Sequence, residues 1–110
     1  MPISNEVMMA TARKAYRGMN VVPRTGGLAY LEHKGKSNQR WCACVLGAYL
    51  LGAGLTTEYS QIDKSDEWID GCIRGFDTDH PVQIRLRDDT QALDGWNFGR
   101  AARQEFRPVN

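Results

Sequence analysis

Trp41 to Gly54 reads WCACVLGAYLLGAG, and the fold turns on how this run is read. Trp41, Val45, Tyr49 and Ala53 recur every four residues, with Cys42, Leu46 and Leu50 beside them. Ala43, Gly47 and Leu51 cover much of the remaining circumference. A helix that is apolar nearly all round is packed on several sides, so the spacing predicts a central helix. Ser37 or Asn38 offers its N-cap and the GAG of residues 52–54 its end. Ala43, Gly47, Ala48, Gly52 and Ala53 are small enough for neighbouring backbones to come close. A glycine inside a helix costs about 1 kcal/mol relative to alanine, so Gly47 implies close packing that offsets it.

The same run holds two of the three cysteines. Residues two apart on a helix point about 200° away from each other, which prevents Cys42 and Cys44 from sharing a tetrahedral metal. A full zinc set would need Cys42 or Cys44, Cys72, His33 and His80, which lack the spacing of structural zinc sites. No metal and no cofactor is expected. A nucleophilic Cys42 near a helix N-terminus, with His33 or His80 as base, is the third choice of function. Buried cysteines acting as small apolar groups are the preferred reading. An odd number of thiols suits a reducing compartment, and the cytoplasm is the expected location.

Three further helices flank this run. Ser4 is a plausible N-cap, Glu6 lies in the first turn, and Val7, Met8, Thr11, Ala12, Ala15, Tyr16 and Met19 follow at helical spacing to a stop near Gly18. Another helix begins near Ser65 and carries the stripe Trp68, Ile69, Cys72, Ile73 and Phe76. The last starts at Asp88 or Asp89, with Leu93, Trp96, Phe98 and Ala101 expected inward and Gly95 and Gly99 forming a smooth ridge. Each of the three core helices thus carries one tryptophan. Trp41 and Trp68 come just after polar loops, where the ring can be buried while the indole N–H reaches a partner. Between the helices, VVPRTGG reads as a turn. Residues 28–33 (LAYLEH) and 82–87 (VQIRLR) are the pair for a small two-stranded element, and the terminal RPVN is expected to fray. A chain of 110 residues fits one domain, mainly α, with this element making it α+β.

Charge is unevenly spread although the net value is only +1. Residues 1–57 carry seven Lys/Arg against Glu6 and Glu32; residues 58–94 carry four basic against ten acidic residues. Complementarity within one fold is the simpler explanation, and separate surfaces for different partners the other. Arg13, Lys14, Arg17, Lys34, Lys36 and Arg40, with the stripe Arg100, Arg103 and Arg107, are the candidate basic contacts. Asp63, Asp66, Glu67 and Asp70 form the candidate acidic face. The longest apolar run has about 12 residues against the roughly 20 needed to span a bilayer, and no secretory signal is recognisable, so no membrane contact is expected.

No constellation of catalytic residues stands out. The expectation is therefore a non-enzymatic binding protein, of the small accessory or inhibitor kind known from bacteria and phages. It would act through sign-segregated charged surfaces on a protein partner or on a second copy of itself. A nucleic-acid-binding module using the basic residues of 13–40 and the arginine stripe is the alternative.

Overall fold

In the computed structural model, which describes residues 3–79 and 89–109, the central run splits into two elements. Arg40–Ala43 is a strand, β3, and the helix that follows, α2, spans only Val45–Ala53. Cys44 is its N-cap, in extended backbone at φ −71° and ψ 175°, so the cap at Ser37 or Asn38 is not used. Trp41 and Cys42 are therefore strand residues and only Val45 onward is helical. The run stays buried through both elements, from Cys42 to Leu50. Hydrophobic periodicity cannot mark a strand-to-helix junction when every face is covered. Gly54 closes α2 at φ 72°, its N–H reaching Leu50 and Leu51 carbonyls, as a left-handed C-cap requires.

β3 is the middle of a three-stranded sheet. β1 (Val22–Pro23) pairs with it in parallel, Val22 opposite Cys42. β2 (Ala29–Glu32) pairs antiparallel, Tyr30 opposite Cys42 and Glu32 opposite Arg40. The partner of residues 28–33 is thus the N-terminal part of the central run; residues 82–87 lie outside the described residues, as does His80. The tail does not hang free. Val109 bridges Arg24, and its N–H donates to the Pro23 carbonyl at 3.0 Å, extending the sheet beyond the short edge strand. The fold is mainly α with a small sheet, an α+β arrangement of three strands rather than two.

The flanking helices begin where side-chain chemistry places them. α1 spans Asn5–Gly18 and its Ser4 cap accepts from the Val7 N–H at 3.2 Å. α3 spans Asp66–Asp77, capped by Ser65 accepting from Trp68 N–H at 3.1 Å. α4 spans Thr90–Phe106, capped by Asp89 accepting from both Gln91 and Ala92. α1 buries Met8, Ala12, Ala15 and Tyr16, whereas Val7 and Met19 at the edges of its predicted stripe are about half exposed. Tyr16 ties α1 to the sheet by donating its hydroxyl to the Ala43 carbonyl at 2.9 Å, and its ring meets Phe106 of α4 at 4.5 Å.

Glycines set the closest approaches. A Cβ at Gly47 would lie 1.7 Å from the Leu28 carbonyl oxygen, and one at Gly52 would lie 2.4 Å from that of Thr11, so α2 packs directly on the backbone before β2 and on α1. That offsets the helix penalty of both residues. α3 and α4 share a second seam. Gly95 meets the Trp68 carbonyl, Gly99 that of Cys72, Gly71 that of Ala92 and Gly75 that of Trp96. The pairing rises in step along both helices, so they run in the same direction. The seam also rotates α4 from its expected orientation. Ala92, Gly95, Phe98, Gly99 and Ala102 are buried, Leu93 and Trp96 only partly, and Ala101 is exposed. The ridge of small residues is the contact face and the large side chains flank it.

Candidate functional site

Five of the nine basic residues singled out in the sequence, Arg13, Arg17, Arg40, Arg100 and Arg103, have a carboxylate partner within the chain, and they share three carboxylates. Arg13 binds Glu105 through both Nε (2.5 Å) and Nη2 (2.8 Å), and Arg17 reaches the same carboxylate at 3.4 Å. The bond to Arg13 holds the Glu105 carboxyl below its ordinary range. On the sheet, Glu32 accepts from Arg40 at 2.7 Å and Arg24 at 3.2 Å, with His33 3.2 Å away. Arg40 is the main reason the Glu32 carboxyl is also held low. Arg103 donates to Asp79 and to the Phe76 carbonyl, both at 2.7 Å, and Arg100 lies 3.8 Å from Asp79 and over the Trp96 ring. Lys14, Lys34, Lys36 and Arg107 are exposed and make no ion pair among the described residues. Among the described residues the basic first half does not pair with the acidic middle: Arg13 and Arg17 pair with Glu105 of the tail and Arg24 and Arg40 with Glu32 of their own half, while Asp79 of the middle serves Arg100 and Arg103 of the last helix.

The arginine stripe does converge. Arg100, Arg103, Gln104 and Arg107 line a recess of about 440 Å³ together with Asp79, which takes up part of their charge.

The acidic residues stay open to solvent, and the structure divides them. Asp66 and Asp70 line a groove of about 300 Å³ whose other walls are Ile69, Ile73 and Tyr59. Tyr59 comes from a single 3₁₀ turn, Tyr59–Gln61, between α2 and α3. Asp70 also meets Arg74 of the next turn at 3.1 Å, an exposed pair. Asp63 lines a different recess, between α3 and α4, with Lys64, Ser65, Trp68, Gln91 and Asp94. There the Trp68 indole N–H donates to Asp94 at 2.6 Å, so this ring is an anchor of the core with its polar edge satisfied. Glu67 is exposed and lines neither.

The groove continues into a smaller, more enclosed pocket of about 140 Å³, the two sharing Tyr59 and Ile73. Gly26, Gly27, Cys44 and Asp77 complete it. The Gly26–Gly27 turn can sit there because Gly26 takes φ 87°, and its N–H donates to Asp77 Oδ2 at 3.2 Å. Asp77 Oδ1 is buried with no hydrogen-bond partner among the described residues. Asp77 is also the last residue of α3, at the negative end of the helix dipole. Burial raises its carboxyl above the usual range, opposed by the Gly26 N–H and by Arg103.

The thiols do not resemble nucleophiles. Cys42 lies in β3 rather than at a helix start, is fully buried, and donates to Glu32 at 3.4 Å. Burial is the largest of the effects that push it up. Cys44, the residue actually at the start of α2, is pushed up to about 11 by burial, against the pull of the Gly47 and Leu46 N–H groups. Cys72 is raised well above the ordinary thiol range, with burial as the leading cause and Cys44 and Asp77 adding to it. Among the described residues no three His, Cys, Asp or Glu side chains converge as metal ligands, and no helix is long and apolar enough to cross a membrane.

Sequence reasoning placed Asp66 and Asp70 on one face but missed Tyr59, Ile73, Gly26, Gly27 and Asp77 as one site. One local signal was available: an aspartate in the last turn of a helix opposes the dipole and needs a reason. No protein family, curated protein or solved structure matches the chain.

Proposed function

We propose that the protein is a non-enzymatic binding module of the cytoplasm, and that the groove on α3 receives a basic segment of a protein partner. The observation that carries this reading is the groove itself: Ile69, Ile73 and Tyr59 below, Asp66 and Asp70 at the rim, and a half-buried carboxylate at its end. Residues 58–77 hold six acidic residues against Lys64 and Arg74. Such a surface attracts Lys and Arg, whose aliphatic stems cover apolar floor while their heads meet carboxylates. It repels phosphate, which places nucleic acid second, with the recess of Arg100, Arg103 and Arg107 as its support. A second copy of the chain is a poorer occupant, because Arg13, Arg17, Arg24, Arg40 and Arg103 already have carboxylate partners.

Reversing Arg13 and Arg17 would break the pair with Glu105 and confuse binding with stability, so the groove is the surface to reverse. Fluorescence anisotropy with a labelled alternating Lys–Leu peptide, and its Glu–Leu counterpart as control, tests the proposal. The Lys–Leu peptide is expected to bind with an affinity that falls as salt is added, and to lose at least about tenfold in Asp66→Lys/Asp70→Lys, as loss of two facing charges implies. Equal binding of both peptides, or no effect of the reversal, overturns it. Tighter binding of a single-stranded oligonucleotide than of the peptide would transfer the assignment to the arginine recess.

A further inference from the structure

The pocket at the end of the groove combines three features that point to one chemical group. Its volume, about 140 Å³, is of the size that admits a benzene-sized molecule, and hence a short alkyl chain. Its charged wall is Asp77, with Oδ2 taken by the Gly26 N–H and Oδ1 buried without a partner among the described residues. A buried acceptor left unmet is unfavourable, and a donor entering the pocket would relieve it. The end of α3 adds partial negative charge beside it.

From this geometry we infer that the pocket holds the ammonium end of a lysine side chain from the bound segment. One buried carboxylate oxygen without a partner among the described residues suits a single-point donor, whereas a guanidinium binds best as a fork across both oxygens. Arg103, whose charge acts on Asp77, is already committed to Asp79 and Phe76. The Tyr59 ring, shared by groove and pocket, adds a face on which an ammonium is favoured. The lysine stem would lie over Ile73 and its head would reach Asp77. The inference extends the groove reading, since the lysine belongs to the segment the groove receives.

The probe that separates the two is n-butylammonium chloride, which mimics the side chain alone. In amide NMR spectra of the full chain, it is expected to shift Gly26, Gly27 and Cys44 saturably, where equal sodium chloride does not. Asp77→Asn should weaken this at least about tenfold, as loss of one charge-assisted hydrogen bond implies. Tyr59→Ala, at a position 44% exposed, should weaken it less. n-Butylguanidinium should bind more weakly than n-butylammonium. Absence of saturable shifts, indifference to Asp77→Asn, or stronger binding of the guanidinium each overturns the inference. If the Lys–Leu peptide still binds in that case, the groove reading survives alone; if neither probe binds, both fall.

Discussion

Gly95→Ala probes the seam that holds α3, and with it the groove, against α4. A Cβ at Gly95 would lie 1.9 Å from the Trp68 carbonyl oxygen, 2.8 Å from its carbonyl carbon and 3.0 Å from its Cα, where ordinary contact begins at 3.4 Å. All three atoms are backbone, so no rotamer change relieves the overlap. α3 and α4 would have to separate by more than 1 Å, loosening Trp68, Cys72 and Phe98 on either side. Overpacking of this kind costs typically 1–3 kcal/mol, and the helix propensity gained by alanine returns about 1 kcal/mol. Because the obstacle is rigid on both sides, the upper part of the range applies and the net loss is about 2 kcal/mol. For a domain near this size that lowers Tm by roughly 8–16 °C. Urea unfolding followed by circular dichroism and tryptophan fluorescence measures it. Gly18→Ala is the control: nothing lies within 4 Å of a Cβ there, so the same change should be neutral or slightly stabilising. Gly71→Ala with Gly95→Ala should cost less than the sum of the two, because separation caused by one relieves the other. A Gly95→Ala protein as stable as the parent would refute the reasoning.

Three other perturbations follow from the same contacts. Because burial raises the Asp77 carboxyl, the native state binds its proton more tightly than the unfolded chain, and stability contributed by this group falls as pH rises from the ordinary carboxylate value through the raised one. Asp77→Asn, which keeps an acceptor for Gly26 N–H, should therefore stabilise the protein at neutral pH and lose that advantage in acid; a variant less stable at both would contradict it. Tyr16→Phe removes the bond to Ala43 and should cost about 0.5–1.5 kcal/mol in urea unfolding, with no change marking the bond as absent in solution. A thiol reagent such as dithionitrobenzoate should label Cys42, Cys44 and Cys72 only as slowly as the protein opens, since all three are buried and raised; one thiol reacting within the mixing time would restore the case for a nucleophile.

What could be read from the sequence was what local chemistry determines. Ser4, Ser65 and Asp89 mark helix starts because a short polar side chain there satisfies free N–H groups, and all three act as caps in the structure. The junction at Cys44 carries no such mark: its side chain is not a polar cap, and strand and helix on either side are equally buried. The pairing of β2 with β3 depends on a turn through residues 33–39, and the docking of Val109 on Pro23 on the whole chain; neither leaves a periodic trace. On α4 the ridge of Gly95 and Gly99 and the inward Phe98 were legible, whereas Leu93 and Trp96 only flank that face and Ala101 is exposed, because the close helix contact centres on the glycines.

The candidate site divides in the same way. Asp66 and Asp70 were legible as one helix face, being a turn apart. Their setting was not, since Tyr59, Cys44 and the Gly26–Gly27 turn reach α3 from three other segments. The neutralisation of Arg13 by Glu105, 92 residues away, was equally hidden. That contact changes which charges remain available to a partner, and it moves the weight of the functional reading from the basic residues to the acidic ones.

The central claim is that the groove on α3 is a docking surface for a basic segment. Amide NMR mapping of the Lys–Leu peptide on the full chain tests it most directly. The account predicts shifts concentrated at Tyr59, Asp66, Ile69, Asp70 and Ile73, saturating together and absent from the spectra of Asp66→Lys/Asp70→Lys. Shifts centred instead on the Asp63–Asp94 recess, or spread evenly over every exposed carboxylate, would contradict it.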